Sequence, residues 1–148
     1  MNQPCDKVFA FGQLRLLLTD EHGAVKQDEK VQNLVVTTGL GFIASRMKDA
    51  TATVMTHMAI GSGAVSPVLG NTALGTELGR VALANTVVAA NVVTYTATFP
   101  AGTGTGSITE AGIFNASSSG TMLNRVTFGV ITKAAGDSLA VTWTVTVS

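Results

Sequence analysis

An all-β domain, a β-sandwich or jelly roll with an N-terminal hairpin and one short helix, is the fold this sequence predicts. Three observations carry the expectation: strict apolar–polar alternation near the C-terminus, short apolar runs parted by Gly-rich turns, and one stretch with helical spacing. In residues 139–147, Leu139, Val141, Trp143, Val145 and Val147 alternate with Ala140, Thr142, Thr144 and Thr146. That is the period of a strand with one buried face, so Trp143 is expected in the core.

The remaining elements follow in order. From Gly12 to Thr19, Leu14, Leu16 and Leu18 alternate with Arg15 and Thr19, with Leu17 off pattern. Asp20-Glu21-His22-Gly23 is a turn signal, and residues 24–36 return to close a hairpin. Thr37 or Thr38 is placed to cap a helix in which Leu40, Ile43, Ala44 and Met47 fall at i, i+3, i+4 and i+7. Arg46 and Lys48 lie in its last turn, where cations suit the helix dipole. Short strands are expected at 55–60 and 80–84, with a Gly-, Ser-, Pro- and Asn-containing loop at 61–75 between them. Residues 87–99 read as one longer strand in which Val93, Tyr95, Ala97 and Phe99 share a face. A turn with alternating glycines at 100–106 leads to strands at 108–114 and 122–131. Closely spaced strands with such turns are the pattern of a sandwich or jelly roll.

The 148 residues suit a single domain, 1–148, with residues 1–11 as an extended N-terminal arm. The chain has nine basic and nine acidic side chains, unevenly placed: twelve in residues 1–50 and six in the 98 that follow. Those six are Glu77, Arg80, Glu110, Arg125, Lys133 and Asp137. An ordinary soluble domain has about a quarter of its residues charged. Surfaces built from Thr, Ser, Ala, Val and Gly stay wet through hydroxyls yet cost little to desolvate. Zero net charge gives no electrostatic footprint for nucleic acid or an anionic membrane. One cysteine, Cys5, excludes an internal disulfide and a multi-cysteine zinc site. The first twenty residues carry Asp6, Lys7, Arg15 and Asp20 and lack the clean apolar core of a signal peptide. Folding in a reducing cytoplasm is the expectation.

Groups that could do chemistry are sparse. Gly39-Leu40-Gly41-Phe42-Ile43-Ala44 fits a loose dinucleotide pattern, but no acid lies between Asp49 and Glu77 to meet a ribose. A sharp strand-to-helix turn explains the glycines better. His22 and His57 have no second ligand at i+2 or i+4, and Met55 and Met58 read as core filler. Ser117-Ser118-Ser119-Gly120 lacks the strand–turn–helix context of a hydrolase nucleophile and reads as a hairpin loop. Asn115-Ala116-Ser117 is a formal glycosylation sequon without a secretory signal. Glu77, Arg80, Glu110 and Arg125 are the structural ion-pair candidates, pairing with one another or across a subunit boundary. No cofactor, metal or catalytic set is expected, and the chain is read as a non-enzyme.

Ser107-Ile108-Thr109-Glu110-Ala111-Gly112-Ile113-Phe114-Asn115 resembles an I-T-E-x-G-(L/I)-F signature of small virion proteins and tail-fibre attachment domains of tailed bacteriophages. The resemblance extends to Gly120-Thr121-Met122-Leu123, Arg125, Lys133, Asp137-Ser138-Leu139 and Thr142-Trp143-Thr144. Upstream it includes Asn33-Leu34-Val35-Val36-Thr37-Thr38-Gly39 and Met58-Ala59-Ile60-Gly61-Ser62-Gly63, and so covers the chain from about Gly12 onward. It implies assembly and brings no catalytic residues. The lack of a repetitive shaft makes the chain more similar to a capsid decoration, or cement, protein than to a tail fibre.

The expected partners are the major capsid protein and further copies of the chain, as dimer or trimer, on a virion surface after synthesis in the host bacterial cytoplasm. Asn2, Gln3, Asp6, Lys7, Phe9 and Phe11, on the arm, are the capsid-contact candidates. A tail, collar or tail-fibre attachment component is the alternative. A carbohydrate-binding β-sandwich for host attachment is the rival of another class, weakened because Tyr95, Phe99, Phe114, Phe128 and Trp143 fall on apolar faces.

Overall fold

The computed structural model of the chain describes residues 8–148. In chain order the elements are β1 (Ala10–Thr19), β2 (Val25–Val35), α1 (Thr37–Lys48), β3 (His57–Gly61), β4 (Glu77–Ala82), β5 (Asn85–Ala89), β6 (Val92–Phe99), β7 (Gly106–Phe114), β8 (Met122–Lys133) and β9 (Ser138–Val147). All strand pairings are antiparallel, in the order β4-β3-β7-β8-β2-β1-β9-β6-β5. Among the described residues the fold is all-β with one helix, as the sequence predicts.

The sheet curls over so that its two halves face each other. Leu14, Leu16 and Leu18 of β1, Tyr95, Ala97 and Phe99 of β6, and Leu139, Val141, Trp143 and Val145 of β9 supply one side of the core. Met58 and Ile60 of β3, Ile108, Ala111 and Ile113 of β7, and Val126 and Ile131 of β8 supply the other. The join is narrow, since β2 meets β8 only through Leu34 with Arg125 and Val35 with Asn124. Only residues 83 and 84 connect β4 to β5, at opposite ends of the strand order, so the curl brings the two edges near each other.

Trp143 is fully buried, and its indole N–H donates to Asn33 Oδ1 at 2.9 Å. Gly12 makes this reach feasible, because a Cβ there would collide with that same Oδ1 and lie 2.7 Å from the Thr144 carbonyl oxygen.

Four details differ from the sequence expectations. Residues 87–99 are not one strand but the end of β5, a turn at Ala90 and Asn91, and β6. Neither turn residue is Gly, so the usual two-residue hairpin signal is missing, and Ala90 takes a φ of 52° to make the turn. The helix rotates away from the predicted face: Gly39 is buried and Phe42 and Ile43 are half-buried, while Leu40, Ala44 and Met47 are exposed. The reason is steric, because Gly39 sits against the Leu123 carbonyl where no Cβ fits, and this contact sets the rotation. Val36 occupies the N-cap position with no side-chain cap, and Thr38 Oγ1 donates instead to the Met122 carbonyl at 2.8 Å. Finally, residues 9–11 belong to the sheet rather than to an arm: Ala10 and Phe11 lie in β1, and Phe9 exchanges backbone hydrogen bonds with Ser148.

Candidate functional site

The loop of residues 62–76, between β3 and β4, crosses the outside of the sheet and contains no charged side chain. A buried ion pair holds it there. Glu110 sits in β7 and Arg125 in β8, where Gly112, two residues after Glu110, is the residue opposite Arg125. Both side chains are almost fully buried.

Glu110 accepts five hydrogen bonds. Oε1 takes the Gly63 and Thr76 amides, each at 2.8 Å. Oε2 takes the Gly75 amide at 2.9 Å, Arg125 Nε at 3.0 Å and Arg125 Nη2 at 2.8 Å. Arg125 Nη1 also donates to Asn71 Oδ1 at 3.1 Å, and that oxygen accepts the Val68 amide at 2.9 Å. Thr109 Oγ1 donates to the Gly63 carbonyl at 2.9 Å. One carboxylate and one guanidinium therefore anchor the loop at residues 63, 68, 71, 75 and 76.

The glycines make the clamp fit. A Cβ at Gly61 would stand 2.6 Å from Glu110 Oε1, and one at Gly63 would collide with the same oxygen. Beneath the loop, Leu74 packs on a small cluster of Val36, Ala59, Phe114 and Met122. Burial pushes the Glu110 carboxyl up, but donors from Thr76, Gly75, Arg125 and Gly63 outweigh it and hold the group below its ordinary range. The carboxylate is charged and already surrounded by donors. Both of its oxygens are taken up by these five donors and, among the described residues, no second carboxylate pairs with it, which is the arrangement of a clamp on the loop.

The other charges from residue 51 onward are also engaged. Arg80 pairs with Glu77 at 2.7 Å, donates to the Ala116 and Ser119 carbonyls, and lies 3.9 Å over the Phe114 ring. Lys133 is buried and donates to the Pro100 carbonyl at 2.9 Å; burial lowers its pKa, with Asp137 acting the other way. Asp137 accepts from Lys26 Nζ at 2.6 Å and from the Ala134 amide at 2.8 Å. Lys26 first, then the Ala134 amide, holds Asp137 below the usual carboxylate range.

Of the residues singled out in the sequence, Glu110 and Arg125 come together, as do Glu77 and Arg80, all within one chain. Phe9 and Phe11 are exposed at the start of β1, and Asn2, Gln3, Asp6 and Lys7 lie outside the described residues. His22 is exposed, and His57 Nδ1 shares a hydrogen bond with Thr56 Oγ1 at 2.8 Å. Among the described residues no cluster of three or more His, Cys, Asp or Glu is placed to hold a metal, and no helix is long and apolar enough to cross a membrane.

Sequence reasoning missed Asn71 and Asn33. Each is an Asn whose carbonyl oxygen accepts from a residue distant in sequence, and nothing in the local pattern marks it. The outer side of the loop is also new: Val65, Val68 and Leu69 are exposed by 79%, 57% and 54%, forming an apolar, uncharged crest.

Comparison of the chain with protein-family models, with curated proteins and with solved structures finds no match.

Proposed function

We propose that this chain is a structural protein of a tailed-bacteriophage virion: a capsid decoration protein that bridges neighbouring major capsid subunits and stabilises the shell. The observation that supports this best is the Glu110–Arg125 clamp. The signature segments 58–63 and 107–115 and Arg125 meet at this one centre. What the centre does is hold a charge-free loop with an apolar crest at a fixed height above the sheet. A crest without ionised groups is inexpensive to desolvate against a partner. Repetition over a capsid lattice turns modest contacts into lasting attachment.

In this reading the chain has no catalytic role, and its partners are protein rather than nucleic acid or membrane. A sugar-binding role fits less well, because Trp143, Phe99 and Phe114 are fully buried and Tyr95 nearly so, leaving few aromatic faces for stacking. The test is quantitative mass spectrometry of purified particles. Decoration predicts a copy number comparable to the major capsid protein. A handful of copies per particle would move the chain to the tail or collar, and absence from particles would refute a virion role.

A further inference from the structure

A strand at the end of a sheet offers unpaired backbone groups to any other strand, and folded proteins usually blunt it with charge, a bulge or a covering loop. The two edges here are treated oppositely. β4 carries Glu77 and Arg80, has a register shift opposite Ile60 and Gly61, and packs Gly79 against Gly104 of the 100–106 turn. β5, Asn-Thr-Val-Val-Ala, has no charge and no proline, and every one of its residues is exposed.

The hairpin fixes which groups are free. Ala89 and Val92 close the two-residue turn, so Asn85, Val87 and Ala89 exchange backbone bonds with β6. Thr86 and Val88 then point their N–H and C=O groups away from the sheet. The Thr86 N–H is met by the neighbouring Asn85 Oδ1 at 2.9 Å, as expected for an outward donor. The side chains of Thr86 and Val88 wall a mostly apolar groove of about 280 Å³, lined on its other side by Phe42, Ile43 and the single charged residue Arg46 of α1. Val87 and Val88 are exposed by 50% and 68%.

We propose that β5 is a self-association edge, pairing antiparallel with β5 of a second copy about a two-fold axis through Val87. In the register that pairs all five residues, Val87 faces Val87 of the partner, and Thr86 and Val88 exchange backbone bonds with the partner's Val88 and Thr86. The strand is self-complementary for a simple reason: an isologous contact sets each residue against itself or its mirror position, which punishes charge, and β5 has none. Pairing covers both valines and continues the nine-stranded order into a second copy. The inference stands apart from the virion reading, since a chain that never enters particles would pair in the same way.

Sedimentation of the full chain across about 1 μM to 1 mM tests it, a range chosen because a five-residue edge contact is smaller than a stable interface. The mass should rise from 15.1 kDa toward twice that value. V87K sets two ammonium groups face to face where side chains approach most closely, and should hold the chain monomeric. V88P removes an outward N–H without touching a bond to β6, and should do the same. Near-ultraviolet circular dichroism from Trp143 checks that each variant is folded. V130K, at another exposed valine, should leave association unchanged. Mixing V87K with V87E should restore a mixed dimer, a result specific to pairing about Val87. A chain that stays monomeric throughout, or an oligomer indifferent to V87K and V88P, overturns the proposal.

Discussion

Replacing Glu110 with Gln should unfold more of the protein's stability margin than any exposed substitution, for a reason visible in the hydrogen-bond directions. All five groups around the carboxylate are donors: Gly63 and Thr76 at Oε1, Gly75 and two Arg125 nitrogens at Oε2. An amide placed there must point its own NH₂ at two or three of them, whichever way it turns. Turned with its NH₂ toward Arg125, it leaves the buried guanidinium with only Asn71 Oδ1 as a side-chain acceptor; turned the other way, it leaves that cation beside a neutral oxygen with no counter-charge. Breaking a buried pair from one side costs about 3–5 kcal/mol, a large share of the roughly 5–15 kcal/mol that a domain has. Arg125→Met should cost less, about 1–3 kcal/mol, because Glu110 keeps its three backbone donors. Urea titration followed by Trp143 fluorescence measures both, and a double-mutant cycle should show coupling of about 0.5–3 kcal/mol. A cost below about 1 kcal/mol for E110Q, or one unchanged by R125M, would refute the reasoning.

The same site sets an acid dependence. The folded carboxyl has a lowered pKa, so its contribution is complete above the unfolded value and disappears as pH falls through the folded one. Wild type and E110Q should therefore differ most near neutrality and converge in acid. Asp137 is lowered too and stays in both proteins, so E110Q keeps part of the acid loss. Hydrogen exchange adds a local readout, since the Gly63, Gly75 and Thr76 amides should lose protection first.

Three further outcomes are expected. Ala90→Gly should raise stability by about 0.5–1 kcal/mol in thermal or urea unfolding, because Ala90 holds a φ of 52° that Gly adopts freely. Gly39→Ala should cost about 2–3 kcal/mol, as its methyl has no space against the Leu123 carbonyl, and a near-neutral result would show that α1 can shift on β8. Asn124→Val should be stabilising by about 1 kcal/mol, because Asn124 is fully buried opposite Val35 and Ile113 with neither amide atom partnered. A loss in that variant would mean the amide is satisfied in solution.

What the sequence revealed depended on whether the deciding contact was local. The alternation in β1, β6 and β9 is local, and Leu14, Leu16, Leu18, Tyr95, Ala97, Phe99 and Trp143 are where alternation puts them. The Ala90–Asn91 turn was hidden because its backbone conformation is imposed by strand pairing instead of by Gly. The helix face was misjudged because Leu40, Ala44 and Met47 have the right spacing, while Gly39 against Leu123, eighty-four residues on, decides the rotation. At the candidate site, sequence reasoning selected Glu110 and Arg125 as rare charges in a neutral region. It had no access to the three loop amides that accompany them, since backbone donors carry no side-chain identity.

The scarcity of charge that first sets this sequence apart gains its physical meaning from where the six charges go. Glu77 and Arg80 fasten β4 to the 116–119 turn, Glu110 and Arg125 clamp the 62–76 loop, Lys133 reaches the Pro100 carbonyl, and Asp137 meets Lys26 and the Ala134 amide. Five of the six tie together elements that are distant along the chain, and Glu77 holds Arg80 within β4, so all act on shape. Exposed pairs stand instead in the first fifty residues, with Arg15 and Asp28 facing solvent across β1 and β2 and Lys48 meeting Asp49 at the end of α1. The molecule thus divides into a hairpin that stays hydrated and a body whose outer crest and β5 edge carry no ionised group. Covering those faces removes little favourable hydration, whereas covering the hairpin would strip water from paired ions. A partner, whether a second copy or a shell subunit, is therefore expected on the body and not on the hairpin.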